Sequence, residues 1–252
     1  MVKTVNILIP LAGGGASFAR AGYSFPKPLI DIEGKPMIQA VIENLKTKIP
    51  HRFILICKDE HYEKYALYQT FSNATENNYE CVRLSAPTQG AACTVLTGID
   101  YINTDSELIV ANADQLIDSG IDEFVKFARK NKVDGAIMTF KSNHPRWSYA
   151  LADKNNFVLQ VAEKRVISDN ATVGVYYFKT GKLFVEGAAR MISKDIKVDD
   201  QFYVCPVYNE LILDRKRIKV YPIDKSKMHS LGTPEDLREY IGELDNKKGT
   251  GR

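Results

Sequence analysis

The sequence predicts an α/β fold with a doubly wound, mostly parallel sheet that has a mixed or antiparallel extension in its second half. Two observations support this prediction. Short apolar runs alternate with amphipathic segments through the first half of the chain, which is the pattern of buried parallel strands joined by helices. From about residue 134, several strand-like runs separated by loops replace this alternation.

The elements of the first half follow one another in regular order. The runs "VNILIPL", "RFILIC", "YECVRLS" and "ELIVANADQ" are short and apolar, and we assign them to strands. Helices are predicted at "KPMIQAVIENLKT", "DEHYEKYALYQTF", "GAACTVLTGIDYI" and "GIDEFVKFARKN". In the first of these helices one face carries the apolar residues Met37, Ile38, Val41, Ile42 and Leu45.

The second half adds the strands of the sheet extension and the last helices. Four runs, "DGAIMTF", "SYALAD", "NFVLQVAE" and "VGVYYF", predict strands, followed by helices around "GKLFVEGAARMISK" and "PVYNELILDR" and a strand "IKVYPI". The final helix begins at "TPED", where Thr233 can act as the N-cap and Pro234 suits the first turn. We expect one domain over residues 1–245 and a flexible tail over residues 246–252.

Composition narrows the class of partner. The 252 residues include 34 basic and 31 acidic ones, and no region concentrates either sign, which argues against nucleic acid or a membrane surface. No apolar run approaches the length of a membrane span, and the N-terminal "MVKTVNILIPLAG" lacks a signal-peptide pattern, so we expect a cytoplasmic protein. The four cysteines are far apart in apolar surroundings and are predicted to be reduced, packed thiols.

Three consecutive glycines, Gly13 to Gly15, directly follow the first strand. Such glycines let the backbone turn tightly and leave amide groups uncovered, as in loops that hold phosphate oxygens. The spacing matches neither the dinucleotide fingerprint nor the P-loop, and a tight surface turn is the alternative interpretation. Arg20 and Lys27 follow, and the prolines of "FPKP" restrict the backbone around Lys27. The pattern indicates a site for a phosphate-bearing ligand.

Five motifs carry a resemblance to a known family. The segment "LAGGGASFARAGYSFPKPLIDIEGKPMI" is followed in order by "TQGAACTVL", "VANADQ", "AEK" ahead of "TVGVYYF", and "LGTPEDL". Together they resemble the nucleotidylyltransferase superfamily, which includes the sugar-phosphate pyrophosphorylases and shares its fold with the A-type glycosyltransferases. The resemblance covers most of the chain.

The resemblance implies a nucleotide site in the first half of the chain. The glycine loop and Arg20 would hold the triphosphate, and Lys27 would lie at the α-phosphorus. "TQGAA" resembles the base-recognition loop, with a polar N-cap turn as the alternative, and Asp114 resembles the Mg²⁺ ligand, with a solvated strand-end aspartate as the alternative. The implied nucleotide-binding residues are Leu11, Ala12, Gly13, Gly14, Gly15, Gln89, Gly90, Asn112 and Asp114.

In the second half of the chain, the resemblance implies residues that bind the acceptor substrate. Glu163 and Lys164 resemble the acceptor-side pair, with Lys164 meeting the acceptor's phosphate, and Gly174 would open the next strand. The implied catalytic residues are Arg20, Lys27 and Lys164. The segments "HPRWSYALAD" and "DDQFYVCPVYNELI" resemble a shorter subgroup from bacterial capsule and surface-glycan loci that includes CTP:phosphoglutamine cytidylyltransferase. The implied acceptor-binding residues are Glu163, Arg146, Trp147, Gly174, Tyr203 and Asn209, although Trp147 beside Arg146 is equally consistent with a packed strand start.

One position departs from the family pattern. Many relatives carry a second metal-binding aspartate two residues before the glycine of "GTPEDL", and this chain has Ser230 there. A serine hydroxyl is a weak Mg²⁺ ligand. Three alternatives follow: one carboxylate suffices, another acid such as Asp199 or Asp200 takes over, or the chain has lost catalysis.

The sequence therefore predicts a nucleotidylyltransferase that joins a nucleoside triphosphate, CTP in the favoured case, to a small phosphorylated metabolite, with Mg²⁺ as cofactor. Two alternatives stay open. One is a glycosyltransferase of the same fold, against which Arg20 and Lys27 and the lack of an Asp-x-Asp motif argue. The other is a non-catalytic nucleotide-binding protein, which Ser230 favours. Relatives often form dimers, so a homodimer is an expectation to test.

Overall fold

The computed structural model describes residues 4–13 and 15–249, with side chains described through residue 246. Its strands are β1 (Val5–Pro10), β2 (Asp31–Ile32), β3 (Lys35–Pro36), β4 (His51–Lys58), β5 (Tyr79–Leu84), β6 (Glu107–Ala111), β7 (Gln115–Ile117), β8 (Gly135–Lys141), β9 (Tyr149–Ala152), β10 (Val158–Ala162), β11 (Asn170–Phe178), β12 (Ile218–Pro222) and β13 (Met228–Ser230). Its α-helices are α1 (Ala16–Arg20), α2 (Met37–Asn44), α3 (Asp59–Lys64), α4 (Leu67–Thr75), α5 (Ala91–Leu96), α6 (Ile99–Ile102), α7 (Ile121–Lys130), α8 (Gly181–Ser193), α9 (Val207–Leu213) and α10 (Pro234–Gly249). Short 3₁₀ turns occupy Lys27–Leu29 and Lys225–Lys227.

Most strands belong to one large sheet. Its main path runs in the order β10, β9, β11, β6, β1, β4, β5, and β8 and β12 extend it beside β11. The neighbours β6, β1, β4 and β5 are parallel. β11 is antiparallel to β6 and β8, whereas β12 is parallel to β8. The predicted fold class, a parallel sheet with a mixed extension, is confirmed.

The central strand β1 shows why its sequence is apolar at consecutive positions. Side chains of a strand alternate between the two faces of its sheet. Ile7 and Ile9 pack into one core cluster, whereas Leu8 between them packs into the cluster on the opposite face. Because helices cover both faces, every residue of this strand from Val5 to Ile9 is buried.

Two predicted helices are each divided in the structure. The segment "DEHYEKYALYQTF" forms α3 and α4, separated where Ala66 adopts the left-handed φ of 48°. The segment "GAACTVLTGIDYI" forms α5 and α6, separated at Thr97 and Gly98. Helical periodicity continues across each break, so the apolar pattern alone does not reveal it.

The C-terminal region contains two features that the sequence analysis did not include. α10 continues to Gly249, so residues 246–249 of the predicted tail are helical, and residues 250–252 lie outside the described ranges. The two-stranded sheet of β7 and β13 was not predicted, because strands of three residues carry too little pattern. Its register pairs Ser230 with Gln115. This pairing brings the C-terminal region beside the end of β6.

Over the described part of the chain, no helix has both the length and the apolar character needed to cross a bilayer. The four cysteines are free thiols, and Cys57 and Cys205 are buried.

Candidate active site

A cavity of about 470 Å³ opens beyond the carboxyl ends of the parallel strands β1 and β6. This edge is where open α/β sheets bind ligands, because the chain turns away from the sheet there and exposes backbone and polar side chains. The wall predicted to face the nucleotide includes Leu11, Gly13, Gly15, Ala16, Ser17, Lys27, Ala91, Asn112 and Asp114. The opposite wall, which we call the acceptor wall after the predicted role of its residues, includes Arg146, Trp147, Ser148, Glu163, Thr172, Gly174, Tyr176, Tyr203, Cys205 and Ser230.

The glycine loop closes against the lysine that follows it. Gly15 precedes α1 with a φ of 58°, a conformation that favours glycine. A Cβ on Gly15 would lie 3.2 Å from Cβ of Lys27, so the small residue also permits this close approach. Gly13 and Gly15 line the cavity, and the predicted Gly14 lies outside the described residues.

Lys27 connects three segments at the cavity wall. Its Nζ donates to Oδ2 of Asp114 at 2.5 Å and to the carbonyl oxygen of Gly232 at 3.0 Å. The ammonium also lies 5.4 Å from the ring centroid of Phe18. Only 17% of the side chain is exposed. The lysine is therefore ordered before any ligand arrives, which reduces the entropy lost on binding.

Arg20 lies apart from this cluster. It is exposed at the end of α1 and does not line the cavity. Ala12 does not line the cavity either, although its neighbour Leu11 does. The resemblance grouped Arg20 with Lys27, and the structure brings only Lys27 to Asp114.

Asp114 and Asn112 follow β6 and are tied to neighbouring strands. The carbonyl oxygen of Asp114 accepts from the Leu231 amide at 2.8 Å, and the Asn112 amide donates to the carbonyl oxygen of Gly174 at 2.9 Å. Gly174 was expected to open its strand, but it lies inside β11, with a φ of 88° in a stretch where the pairing with β8 shifts register. A Cβ there would collide with the side-chain amides of Asn112 and Gln115.

The turn predicted to recognise the base is fixed to the segment before α9. Gly90 has a φ of 114°, and a Cβ on it would lie 2.5 Å from the carbonyl oxygen of Phe202. Phe202 donates its amide to the carbonyl oxygen of Gln89 and accepts from the amide of Ala92, both at 2.9 Å. Gln89 and Gly90 do not line the cavity, whereas the next residue, Ala91, does.

Glu163 lies on the acceptor wall beside Ser148, whose hydroxyl donates to Oε2 of Glu163 at 2.5 Å. Burial raises the pKa of Glu163, although the Ser148 hydrogen bond and the nearby Lys164 charge oppose the rise. Burial also raises the pKa of Cys205, which lines the same wall. The sequence analysis gave Ser148 and Cys205 no role at the site, although they lie in the segments "HPRWSYALAD" and "DDQFYVCPVYNELI".

Lys164 is exposed, and two side chains hold its ammonium group. Its Nζ donates to Oδ2 of Asp199 at 2.7 Å and to the Tyr203 hydroxyl at 2.8 Å. Burial disfavours its charge, but these two partners outweigh burial and raise the pKa of Lys164 to about 12. Tyr203 lines the cavity and Lys164 does not. Asp199 is occupied by this ion pair, and neither it nor Asp200 lines the cavity.

Arg146 and Trp147 form one end of the acceptor wall. The guanidinium carbon of Arg146 lies 4.3 Å from the centroid of the Trp147 ring, which packs edge-on against Phe140 at 5.4 Å. Arg146 also pairs with Oδ1 of Asp236 at 2.9 Å. Both residues line the cavity. Trp147 is therefore packed against its neighbours and also exposed to the cavity, as the two interpretations of this residue proposed separately.

Asn209 has a different environment from the other predicted acceptor residues. Its side-chain oxygen accepts from the Val161 amide at 2.9 Å, and its side-chain nitrogen donates to the Val161 carbonyl at 3.0 Å. It does not line the cavity. Both ends of the amide are satisfied by the backbone of β10, so Asn209 joins α9 to that strand.

Asp236 also lies near the site, and the sequence analysis gave it no role there. Its Oδ2 accepts from the Ser230 hydroxyl at 2.8 Å and from the Thr233 amide at 3.2 Å. Asp236 belongs to "GTPEDL", from which the sequence analysis drew only the start of the last helix and the comparison at Ser230. In the part of the chain described, no group of three or more His, Cys, Asp or Glu residues converges on a metal position.

Comparisons with known proteins identify the fold and the family of this chain. The bifunctional protein GlmU of Methanocaldococcus jannaschii is 26% identical over 175 residues, which are 69% of this chain and 40% of that protein. The chain thus spans less than half the length of this relative. A nucleoside-diphosphate-sugar pyrophosphorylase from Vibrio cholerae superposes with a TM-score of 0.80 and 22% identity, covering 93% of this chain and 99% of the other.

The inositol-1-phosphate CTP transferase from T. maritima superposes with a TM-score of 0.76 and 16% identity, covering 98% of this chain and 96% of the other. At these identities both structures establish the shared fold. The sequence model described as Nucleotidyl transferase matches residues 9–241, nearly the whole chain. The superfamily resemblance is confirmed, and the chain belongs to the nucleotidyl transferase family.

Proposed function

We propose that this chain transfers a nucleoside monophosphate from a nucleoside triphosphate to a small phosphorylated acceptor and releases pyrophosphate. The observation that carries the proposal is the position of Lys27. This partly buried cation lies on Asp114 in a cavity with the glycine loop on one side and Glu163 on the other. A cavity with a phosphate loop and a separate polar wall suits two substrates that must meet at one phosphorus.

The reaction needs charge neutralisation more than covalent chemistry. An oxygen of the acceptor's phosphate attacks the α-phosphorus, a new P–O bond forms, and the bond to the β-phosphate breaks with pyrophosphate as the leaving group. Two anions approach each other, so cations at the α-phosphate lower the barrier. Lys27 supplies a cation ordered in advance, and the backbone at Gly13 and Gly15 has no Cβ to keep phosphate oxygens away.

We propose Mg²⁺ as the cofactor, with Asp114 as its protein ligand. The oxygens at this point of the cavity wall are the Asp114 carboxylate, the Ser230 hydroxyl and the carbonyl of Gly232. An all-oxygen set of this kind fits a hard divalent cation. Such an ion, when bound, would neutralise charge on the triphosphate. Lys27 would then leave the Asp114 carboxylate to contact phosphate oxygens.

The acceptor wall supports a small, phosphorylated and polar acceptor. We propose that Tyr203 and Lys164, which share a hydrogen bond, contact its phosphate from the rim, and that Glu163 and Arg146 contact its other polar groups. Our specific proposal is CTP with a phosphoglutamine-type acceptor or a sugar 1-phosphate, for capsule or surface-glycan precursors. Its support is the resemblance of "HPRWSYALAD" and "DDQFYVCPVYNELI". We also keep the predictions that the protein is cytoplasmic and that it forms a homodimer.

The test is pyrophosphate release with ATP, CTP, GTP, UTP and dTTP in the presence of Mg²⁺. Each nucleotide is paired with a panel of sugar 1-phosphates, phosphocholine and phosphoglutamine. Release with one pair supports nucleotidyl transfer and identifies both substrates. Release with a nucleotide other than CTP would overturn the cytidylyl assignment alone.

Nucleotide binding without release across the panel would overturn the proposed activity. That outcome would favour the non-catalytic interpretation, which is supported by the presence of Ser230 where many relatives have a metal-binding aspartate. A parallel assay with nucleotide sugars as donors separates this interpretation from a glycosyltransferase.

A further inference from the structure

Three side-chain oxygens converge on the space beside the Cα of Gly232. A Cβ at this position would lie 3.3 Å from Oγ of Ser230, 3.5 Å from Oδ2 of Asp236 and 3.8 Å from Oδ2 of Asp114. Because Gly232 has no side chain, this space stays open, and Asp114, Ser230 and Gly232 all line the cavity. We call these three oxygens and the open space between them the Gly232 cradle.

A cation already lies at the edge of the cradle. Nζ of Lys27 contacts the Asp114 carboxylate at 2.5 Å and the carbonyl oxygen of Gly232 at 3.0 Å. The ammonium shows that the potential here favours positive charge. A carboxylate, a carbonyl and a hydroxyl together offer the oxygen chemistry that a hard divalent cation requires.

Asp236 makes more contacts than its role in the helix requires. The Asp236 amide donates to Oγ1 of Thr233 at 3.2 Å, and Oδ2 of Asp236 accepts from the Thr233 amide at 3.2 Å, which is the reciprocal pattern of a capping box. The box does not need the Ser230 hydroxyl, yet that hydroxyl donates to the same Oδ2 at 2.8 Å. Only 10% of the Asp236 side chain is exposed.

The hydrogen bond between Ser230 and Asp236 fixes the orientation of the hydroxyl. A hydroxyl that donates its proton to a carboxylate turns its lone pairs elsewhere. One lone pair of Ser230 faces the Gly232 amide at 3.3 Å. Another is free to accept from a water molecule in the cradle, and Mg²⁺ usually retains several of its waters in proteins.

We propose that Ser230 and Asp236 together act as the second acidic group of the cation site whose direct ligand is Asp114. Asp236 supplies the carboxylate, whose charge is partly balanced by Arg146 at 2.9 Å from Oδ1, and Ser230 carries the effect of Oδ2 to a metal-bound water. Neither Asp199 nor Asp200 fills this role, since neither lies at the cavity. The inference rests on the proposed function, because it concerns the cation that this function requires.

Binding of Mn²⁺ alone tests the inference without turnover. Free Mn²⁺ is measured by electron paramagnetic resonance as the protein is titrated, for the wild type, Asp114→Asn, Asp236→Asn and Ser230→Ala. We expect Asp114→Asn to abolish binding and the other two to weaken it by about 10- to 100-fold, the usual effect of removing a group that supports a metal ligand. Ser230→Asp in the Asp236→Asn background should restore binding, since it places a carboxylate directly in the cradle.

Thr233→Ala is the matched control, because it breaks the capping box and removes no oxygen from the cradle. Wild-type Mn²⁺ affinity in Asp236→Asn would overturn the inference, as would equal losses in Asp236→Asn and Thr233→Ala. Thermal unfolding of each variant shows whether it is folded. If the protein releases pyrophosphate normally but Asp236→Asn leaves its Mn²⁺ affinity unchanged, the inference alone is rejected. If Mn²⁺ binding depends on Asp236 but the protein shows no turnover with any substrate pair, the proposed function alone is rejected.

Discussion

At the scale of single residues, Lys27 differs in its environment from the other lysines whose side chains the structure describes. It is largely buried, it contacts a carboxylate and a carbonyl from two distant segments, and it faces the cavity. A surface lysine spends most of its time in solvent with its charge dispersed over many rotamers. The position of Lys27 is the reason to assign it to the reacting phosphate.

Lys27→Ala should reduce pyrophosphate release by about 10²- to 10³-fold, because it removes a fixed charge that stabilises the transition state. Nucleotide affinity should fall less than turnover. Steady-state kinetics and circular dichroism at 25 °C check the two expectations. Lys130→Ala, on the exposed side of α7, is the control and should keep wild-type turnover. Equal turnover in the two variants would contradict the assignment.

Glu163 leads to a prediction about pH. The folded protein binds the proton of Glu163 more tightly than the unfolded chain does, because burial raises its pKa. Its contribution to stability is therefore present below the unfolded pKa and is lost as the pH rises through the folded value. Glu163→Gln should unfold at a higher urea concentration than the wild type at pH 7, and this advantage should shrink as the pH approaches about 4.

Urea titrations at the two pH values, without ligand, measure this difference. The exposed Glu186→Gln in α8 is the control and should show no pH-dependent advantage. A Glu163→Gln variant less stable than the wild type at pH 7 would mean that the Ser148 hydrogen bond outweighs the cost of burial.

At the scale of elements, the turn before α5 shows how a glycine fixes a loop. Gly90 combines a φ of 114° with a backbone contact to Phe202 that leaves no room for a methyl group. Since the obstacle is backbone, a rotamer change elsewhere cannot relieve it. The turn and the segment before α9 are thus held together, and that segment carries Tyr203 to the cavity.

Gly90→Ala should lower the free energy of unfolding by about 2 to 3 kcal/mol, through strain and displacement of the turn. It should also weaken nucleotide binding if this turn recognises the base. Gly242→Ala is the matched control: it lies in α10, where the added Cβ would have no neighbour within 4 Å beyond the adjacent residues and the local helix backbone, and it should gain up to about 1 kcal/mol from helix propensity. Chemical denaturation and nucleotide titration measure both effects. Similar stability of the two variants would contradict the expected collision.

The last helix illustrates an element that local sequence describes well. α10 begins at Pro234, and Thr233 accepts from the Asp236 amide, as the N-cap prediction required. Helix starts are predictable because their signals lie within four residues. The division of α3 from α4 was not predictable in this way, because the left-handed Ala66 has no sequence signal of its own.

At the scale of the whole molecule, the two core clusters lie on opposite faces of one sheet and share its strands. β1 contributes Ile7 to one cluster and Leu8 to the other. Neither cluster can be exposed without loss of strands that the other requires. We therefore predict that residues 1–245 unfold as one domain.

Urea unfolding followed by far-ultraviolet circular dichroism and by fluorescence should give coincident midpoints. The fluorescence of the single tryptophan, Trp147, reports on the unfolding of the region around the cavity, because Trp147 lines it. Midpoints that differ would show that the antiparallel extension, which carries the acceptor wall, unfolds separately from the parallel half. Nucleotide at saturation should move both midpoints together, and by the same amount.

The sequence by itself determined the fold class, because buried strands and amphipathic helices reveal themselves through local periodicity. It also predicted site roles for the glycine loop, Lys27, Asp114 and Glu163, which all border one cavity, since each belongs to a motif of contiguous residues. Contacts between residues far apart in the chain have no such local signal. The tertiary structure alone placed Asp236 beside Ser230, left Arg20 outside the cavity and joined Asn209 to Val161. These differences arise because a side chain's partner is decided by packing and register across the whole sheet, which no short segment encodes.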